Sequence, residues 1–93
     1  DFGAPVYATA AGTIEQAGWN GGYGRYVRIN HGNGYETAYG HMSGIAVAAG
    51  QKVIKGEIIG FVGSTGYSTG PHIHYEVLAD GQNIDPFYVL KNK

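Results

Sequence analysis

From Arg25 onward the chain alternates. Val27, Ile29 and His31 fall on one side and Tyr26, Arg28 and Asn30 on the other, the period of a strand with two distinct faces. Gly32-Asn33-Gly34 follows as a turn signal. The returning stretch alternates again, with Tyr35, Thr37, Tyr39 and His41 on one face and Glu36, Ala38 and Gly40 on the other. This pattern predicts a β-hairpin whose second strand ends at His41 and whose Ala/Gly face is small enough for close packing. Upstream, Val6 to Ala8 and Thr13 to Ala17 are short apolar or β-branched runs separated by Ala11-Gly12, which predicts two edge-length strands with a turn between them. Gly18 to Gly24 carries four glycines in seven residues around Trp19 and Tyr23 and reads as an exposed loop.

Downstream, Gly50, Gly56 and Gly60 divide Ala46 to Gly63 into short β segments, with Val47, Val53, Ile58, Ile59, Phe61 and Val62 as the expected core contributions. The loop Ser64 to Gly70 repeats Ser-Thr-Gly around Tyr67 and leads through Pro71 into a predicted strand from His72 to Leu78. A turn at Asp80-Gly81 and a short tail through Ile84-Asp85-Pro86 close the pattern. No helical period competes with these segments.

Composition agrees with an all-β chain. Seventeen glycines and eight tyrosines, against one Met and one Trp, fit tight turns joining short strands whose aromatic rings supply most of the buried area. Ninety-three residues make one domain, of a size that buries only roughly 60 to 65% of its unfolded surface. At 43% hydrophobic and 14% charged, the chain is too apolar to be disordered. A formal charge of -1 without any Lys/Arg cluster argues against a nucleic-acid partner. The absence of cysteine excludes disulfides and a thiolate zinc site, so a metal would be held by His, Asp or Glu. Nothing resembles a signal peptide or an apolar run of about 20 residues that would contact a membrane by spanning it. The opening on Asp1 is expected of an excised or truncated domain whose targeting segment lies elsewhere.

The chemistry concentrates in His72-Ile73-His74. Two residues apart on a strand, the imidazoles project from the same face with Cα atoms roughly 7 Å apart. One is able to ligate a metal while the other hydrogen-bonds to what the metal activates. Two histidines satisfied in a polar rim is the competing reading of the pair alone. His41, at the end of a separate strand, offers a third imidazole, the number a hydrolytic zinc site commonly uses. His31 is read as structural or turn-associated, Asp85 as a terminal turn or cap, and Glu76 as a weak candidate for orienting His74.

Tyr39-Gly40-His41-Met42-Ser43, Gly50-Gln51-Lys52-Val53, Gly56-Glu57-Ile58-Ile59-Gly60 and Gly63-Ser64-Thr65-Gly66-Tyr67-Ser68-Thr69-Gly70-Pro71-His72-Ile73-His74-Tyr75-Glu76-Val77 together closely resemble the lysostaphin/LytM-type zinc metallopeptidases. The resemblance runs in order along nearly the whole chain, and its Ser-Thr-Gly-Pro-His-x-His block is far more specific than His-x-His. It implies a small antiparallel β-sheet or sandwich, barrel-sandwich-hybrid-like, with a substrate groove. It also implies a zinc ion, endopeptidase activity on peptidoglycan cross-links, and a place in the bacterial cell envelope, periplasmic or extracellular. In that family a His and an Asp of His-x-x-x-Asp and the second His of His-x-His hold the metal. Carried over, Asp1 and His74 are metal ligands, while His72 and His41 polarise the zinc-bound water and stabilise the oxyanion. Direct cross-links are preferred over glycine bridges as substrate. Regulatory segments or partner proteins outside the chain are also implied.

The sequence departs from that pattern at its start. Asp1-Phe2 matches the family's Asp-Phe, but the upstream His is absent, and Gly3-Ala4-Pro5-Val6 follows as though loop residues were missing after Phe2. A metal-free relative that binds peptidoglycan or activates another wall hydrolase is therefore the alternative reading. A carrier-domain reading rests on the Gly-punctuated rhythm of Val47 to Gly60, but Lys52 and Lys55 lack the context of a modified lysine.

Overall fold

A computed structural model describes residues 3–63, 74–80 and 82–84, with the backbone alone for His74 and for 82–84. The strands are β1 (Pro5–Tyr7), β2 (Gly12–Trp19), β3 (Arg25–Gly32), β4 (Tyr35–Ile45), β5 (Lys52–Val53), β6 (Ile58–Val62), β7 (His74–Ala79) and β8 (Gln82–Ile84). A 3₁₀ turn, Gly21–Tyr23, lies between β2 and β3. All pairings are antiparallel in one curled sheet of order β1-β6-β4-β3-β2-β5, to which β7 adds by pairing with β4 and β8. The expected all-β antiparallel class holds.

The hairpin predicted from the alternation is β3–β4. Gly32 pairs with Tyr35, and the two residues between them, Asn33 (φ 54°) and Gly34 (φ 80°), are both left-handed. A two-residue loop of that kind matches the right-handed twist of the strands it joins, and Asn-Gly is its preferred sequence. Arg28 Nε donates to Glu36 Oε1 across the hairpin, and Glu15 of β2 lies 3.9 Å from the same Nε.

Alternation sends the two faces into two cores. Ile14, Val27, Ile29, Tyr39, Met42, Val53 and Ile59 pack on the inner face with Val6 and Ala8. Tyr26, Ala38 and Leu78 pack on the outer face with Tyr23 against them. Tyr39 is among the largest fully buried side chains, but Ile14, Ile29, Met42, Ile59 and Val27 share that place. The described core is thus more aliphatic than the tyrosine content suggests, and Tyr7, Trp19 and Tyr35 are exposed.

Four expectations need correction. β2 extends through Gly18 and Trp19, so the expected loop shrinks to Asn20 and the 3₁₀ turn. β2 is also flanked on both sides, by β3, which follows it in the chain, and by β5, while β1 pairs with β6 instead. β6 runs through Gly60, which is buried against Met42, and of its large hydrophobic residues Ile58 and Phe61 are 41% and 38% exposed while Ile59 is fully buried. Finally, β4 does not end at His41 but continues to Ile45. The loop Ser64 to Gly70, the start of the His72 strand, Gly81 and the Asp85-Pro86 tail lie outside the described residues.

Candidate functional site

β4 has different partners along its two halves. From Tyr35 to Gly40 it lies between β3 and β7, and from Met42 to Ile45 it pairs with β6. His41 stands at the change, where β6 and β7 part as two arms of a fork. Against β3, Tyr39 pairs with Val27 and Met42 with Arg25, so Gly40 and His41 together oppose Tyr26. Two residues facing one is a β-bulge, which bends a strand and re-aims a side chain and is common beside active sites. His41 adopts φ 59°, unusual for a residue with a side chain, and is 6% exposed.

The fork brings together segments far apart in sequence. Gly40 pairs with His74, the first residue of β7. On the other arm, Met42 pairs with Val62. Gly63 follows, packed so closely on the Ser43 backbone that any side chain there would collide with it. The N-terminal segment reaches the same arm, where Gly3 N–H donates to Val62 O (2.7 Å) and Val62 N–H to Ala4 O (2.8 Å).

The 3₁₀ turn covers the fork from the outer face. A side chain at Gly40 would start 3.3 Å from the Tyr23 ring and its carbonyl oxygen, so Tyr23 rests directly on the Gly40 backbone. The Tyr23 hydroxyl donates to Glu76 Oε2 (2.9 Å), and its ring lies 5.1 Å from that of Tyr26. The hydrogen bond to Glu76, and after it burial, raise the Tyr23 phenol above its ordinary value. Glu76 thus has a partner in Tyr23, which the sequence reading treated as part of an exposed loop. The available signal was Gly40 itself, since a strand residue without a side chain often marks close approach of another group.

His31 is structural, as expected. Its Nδ1 lies 2.8 Å from Ala11 O, a carbonyl that only accepts, so Nδ1 carries the proton. Its Nε2 lies 2.6 Å from Thr37 Oγ1. From there a chain runs to the Tyr39 hydroxyl (3.0 Å), Thr9 Oγ1 (2.9 Å) and the Tyr75 hydroxyl (3.4 Å). With Nε2 accepting, one direction satisfies every link: Tyr75 donates to Thr9, Thr9 to Tyr39, Tyr39 to Thr37 and Thr37 to His31.

Among the described residues no three His, Asp or Glu side chains converge as a metal-binding group. Asp1, His72 and the His74 side chain, three of the four site groups named from sequence, lie outside them. His41 is described whole and His74 by its backbone. Imidazole and carboxylate donors without thiolate suit zinc in a hydrolytic site.

A profile of peptidase family M23 matches residues 1–86. The chain is 54% identical over 87 residues to the DD-carboxypeptidase/endopeptidase Mpg of Neisseria meningitidis serogroup B, covering 94% of this chain and 20% of that protein. It is 45% identical over 84 residues to the peptidoglycan DD-endopeptidase ShyA of Vibrio cholerae, covering 90% and 20%. The chain therefore spans about a fifth of the length of these curated relatives. Among solved structures, a zinc containing peptidase from Vibrio cholerae superposes with a TM-score of 0.88 at 40% identity, over 91% of this chain and 26% of that one. Lysostaphin from Staphylococcus simulans superposes with a TM-score of 0.92 at 37% identity, over 99% and 41%.

Proposed function

This chain belongs to peptidase family M23, and from that premise we propose that it is the catalytic core of a zinc-dependent endopeptidase that hydrolyses peptide cross-links of bacterial peptidoglycan. The observation that carries this reading is the fork in β4. A bulged His41 stands there beside the Gly40–His74 rung, in a chain whose 45%-identical relative is a peptidoglycan DD-endopeptidase. The DD in both relatives' names supports direct cross-links as the substrate. Such a substrate puts the domain in the cell envelope.

His74 and Asp1 would hold the zinc. Asp1 is two residues from Gly3, whose N–H is bonded to Val62 on the β6 arm, which supports its assignment to the same site. Bound zinc would supply Lewis acidity and lower the pKa of a bound water to about 7. His41 and His72 act on the reacting groups. One imidazole accepts the proton of the attacking water and returns it to the leaving amine, while the other donates a hydrogen bond to the oxyanion of the tetrahedral intermediate. No serine or cysteine nucleophile is required. The burial of His41 favours this role, because a hydrogen bond to developing charge is stronger where water is excluded.

Elemental analysis of protein expressed from the complete gene and purified without chelators tests the reading, together with digestion of purified peptidoglycan. About one zinc per chain with release of peptide amines is the expected result. A chain that takes up no zinc when it is added, and leaves peptidoglycan intact, would instead be a metal-free module that binds the wall or activates another hydrolase.

A further inference from the structure

Among the described residues, Gly40–His74 is the last rung joining β4 to β7 before β4 pairs with β6 from Met42 onward. Terminal rungs open most easily, because they are supported from one side only. This rung also connects the two strands that the proposed function places on either side of the reaction, so its opening would change the separation of His41 from His74. The three atoms that a side chain at Gly40 would meet first all belong to Tyr23 of the 3₁₀ turn.

The turn is well placed to hold this rung. Asn20 N–H donates to Gly24 O (2.8 Å), Tyr23 N–H to Asn20 O (2.9 Å) and Gly24 N–H to Gly21 O (3.1 Å), so the backbone beneath Tyr23 is closed on itself. The ring lies on Gly40 of β4, where the missing side chain lets it approach the backbone. The hydroxyl crosses to Glu76 of β7, two residues along the strand from His74. Packing on Tyr26 holds the ring from the β3 side. A hydrogen bond to a carboxylate is among the stronger and shorter kinds a neutral donor makes. One side chain thus spans β4 and β7, from Gly40 in the last described rung to Glu76 in the Ala38–Glu76 rung.

We propose that Tyr23 and Glu76 are a positioning pair for the peptidase reaction, a clamp that ties β7 to the Gly40–His41 bulge and fixes the spacing of His41 and His74. The inference rests on the peptidase reading above. Neither residue touches the reacting atoms. Because small displacements of catalytic groups are costly to turnover, loss of the tether lowers kcat and leaves KM nearly unchanged.

The test compares Tyr23→Phe, Glu76→Ala, Glu76→Gln and the double variant Tyr23→Phe/Glu76→Ala in the full-length zinc-loaded protein on soluble peptidoglycan fragments. Tyr23→Phe and Glu76→Ala are expected to lose kcat on the order of tenfold each, and the double variant no more than either alone. Glu76→Gln keeps an acceptor oxygen for the phenol and is expected to stay within about twofold of the parent. A Glu76→Gln variant as impaired as Glu76→Ala assigns the effect to the carboxylate charge and overturns the clamp. Additive losses in the double variant, or full turnover in Tyr23→Phe, overturn it as well. If Tyr23→Phe fails to fold, the two Glu76 variants still decide the matter.

Amide exchange across Ala38 to Met42 and β7, measured on the same proteins, needs no turnover. Faster exchange in Tyr23→Phe and Glu76→Ala but not in Glu76→Gln upholds the clamp even if the parent proves not to cut peptidoglycan. Exchange unchanged in all three overturns it. Failure of the peptidase reading is seen separately, as a parent protein without turnover.

Discussion

The two histidines of the β3–β4 hairpin show how the same side chain is put to different ends by its backbone. His31 faces inward like Val27 and Ile29, at a register shift between Asn30 and Gly32, with both ring nitrogens bonded at one end of a chain of hydroxyls that reaches Tyr75. His41 sits at the other register shift of the hairpin but in the left-handed region, at the point where β4 exchanges β7 for β6. In one place the fold uses an imidazole to satisfy buried hydroxyls, and no reactive capacity is left over. In the other, the backbone is held in a conformation that costs free energy, on the order of 1 kcal/mol or more, a cost that ordinary packing does not require. Such strain beside a fork in the sheet supports the role proposed for His41.

Substituting the two residues should separate these roles most sharply. His41→Ala is expected to lower kcat on the order of a hundredfold or more while the protein still melts cooperatively, whereas His31→Ala destabilises the fold and keeps turnover per folded molecule. Equal activity losses in both variants would abolish the contrast. Next in size is the inner core. Ile29→Ala should cost about 2 to 5 kcal/mol by removing a fully buried side chain, read as a lower urea midpoint with kcat retained below the melt.

The hydroxyl chain predicts a smaller effect. Tyr39→Phe keeps the ring but removes the group that Thr9 and Thr37 share, and should cost about 1 to 3 kcal/mol. An unchanged urea midpoint would mean that those hydroxyls find other partners. Smallest and confined to alkali is the contribution of the phenols. The Tyr23 phenol is raised by its bond to Glu76 and then by burial, and those of Tyr26 and Tyr75 are raised chiefly by burial. A group whose folded value is raised contributes stability that is present below its unfolded value, near pH 10, and lost as pH rises through the folded value. Thermal stability should therefore hold up to about pH 10 and fall above it, less steeply in Tyr23→Phe. The same alkaline slope in parent and variant would remove Tyr23 from the account.

The β3–β4 hairpin, its Asn33-Gly34 turn, the structural role of His31 and the close packing on Ala38 and Gly40 were all legible in the sequence. These features are local: a period of two assigns faces, Asn-Gly tolerates paired positive φ angles, and small residues admit a neighbour. The order of strands was not legible, because alternation says which face is inward and never which segment lies alongside. Ile58 and Phe61 misled for that reason, since a β-branched or aromatic residue suits either face of a strand and only the partner decides which face is covered.

The candidate site divides along the same line. Residue types alone supplied imidazole and carboxylate without thiolate, and the motif around His72 and His74 supplied the family. The tertiary structure decided that β4 passes through His41 rather than ending there, that Gly40 meets His74, and that Tyr23 bridges the two strands above them. A bulge needs only one extra residue and leaves no compositional trace. A clamp between residues 23 and 76 is made by a turn and two strands that meet only once the sheet has closed.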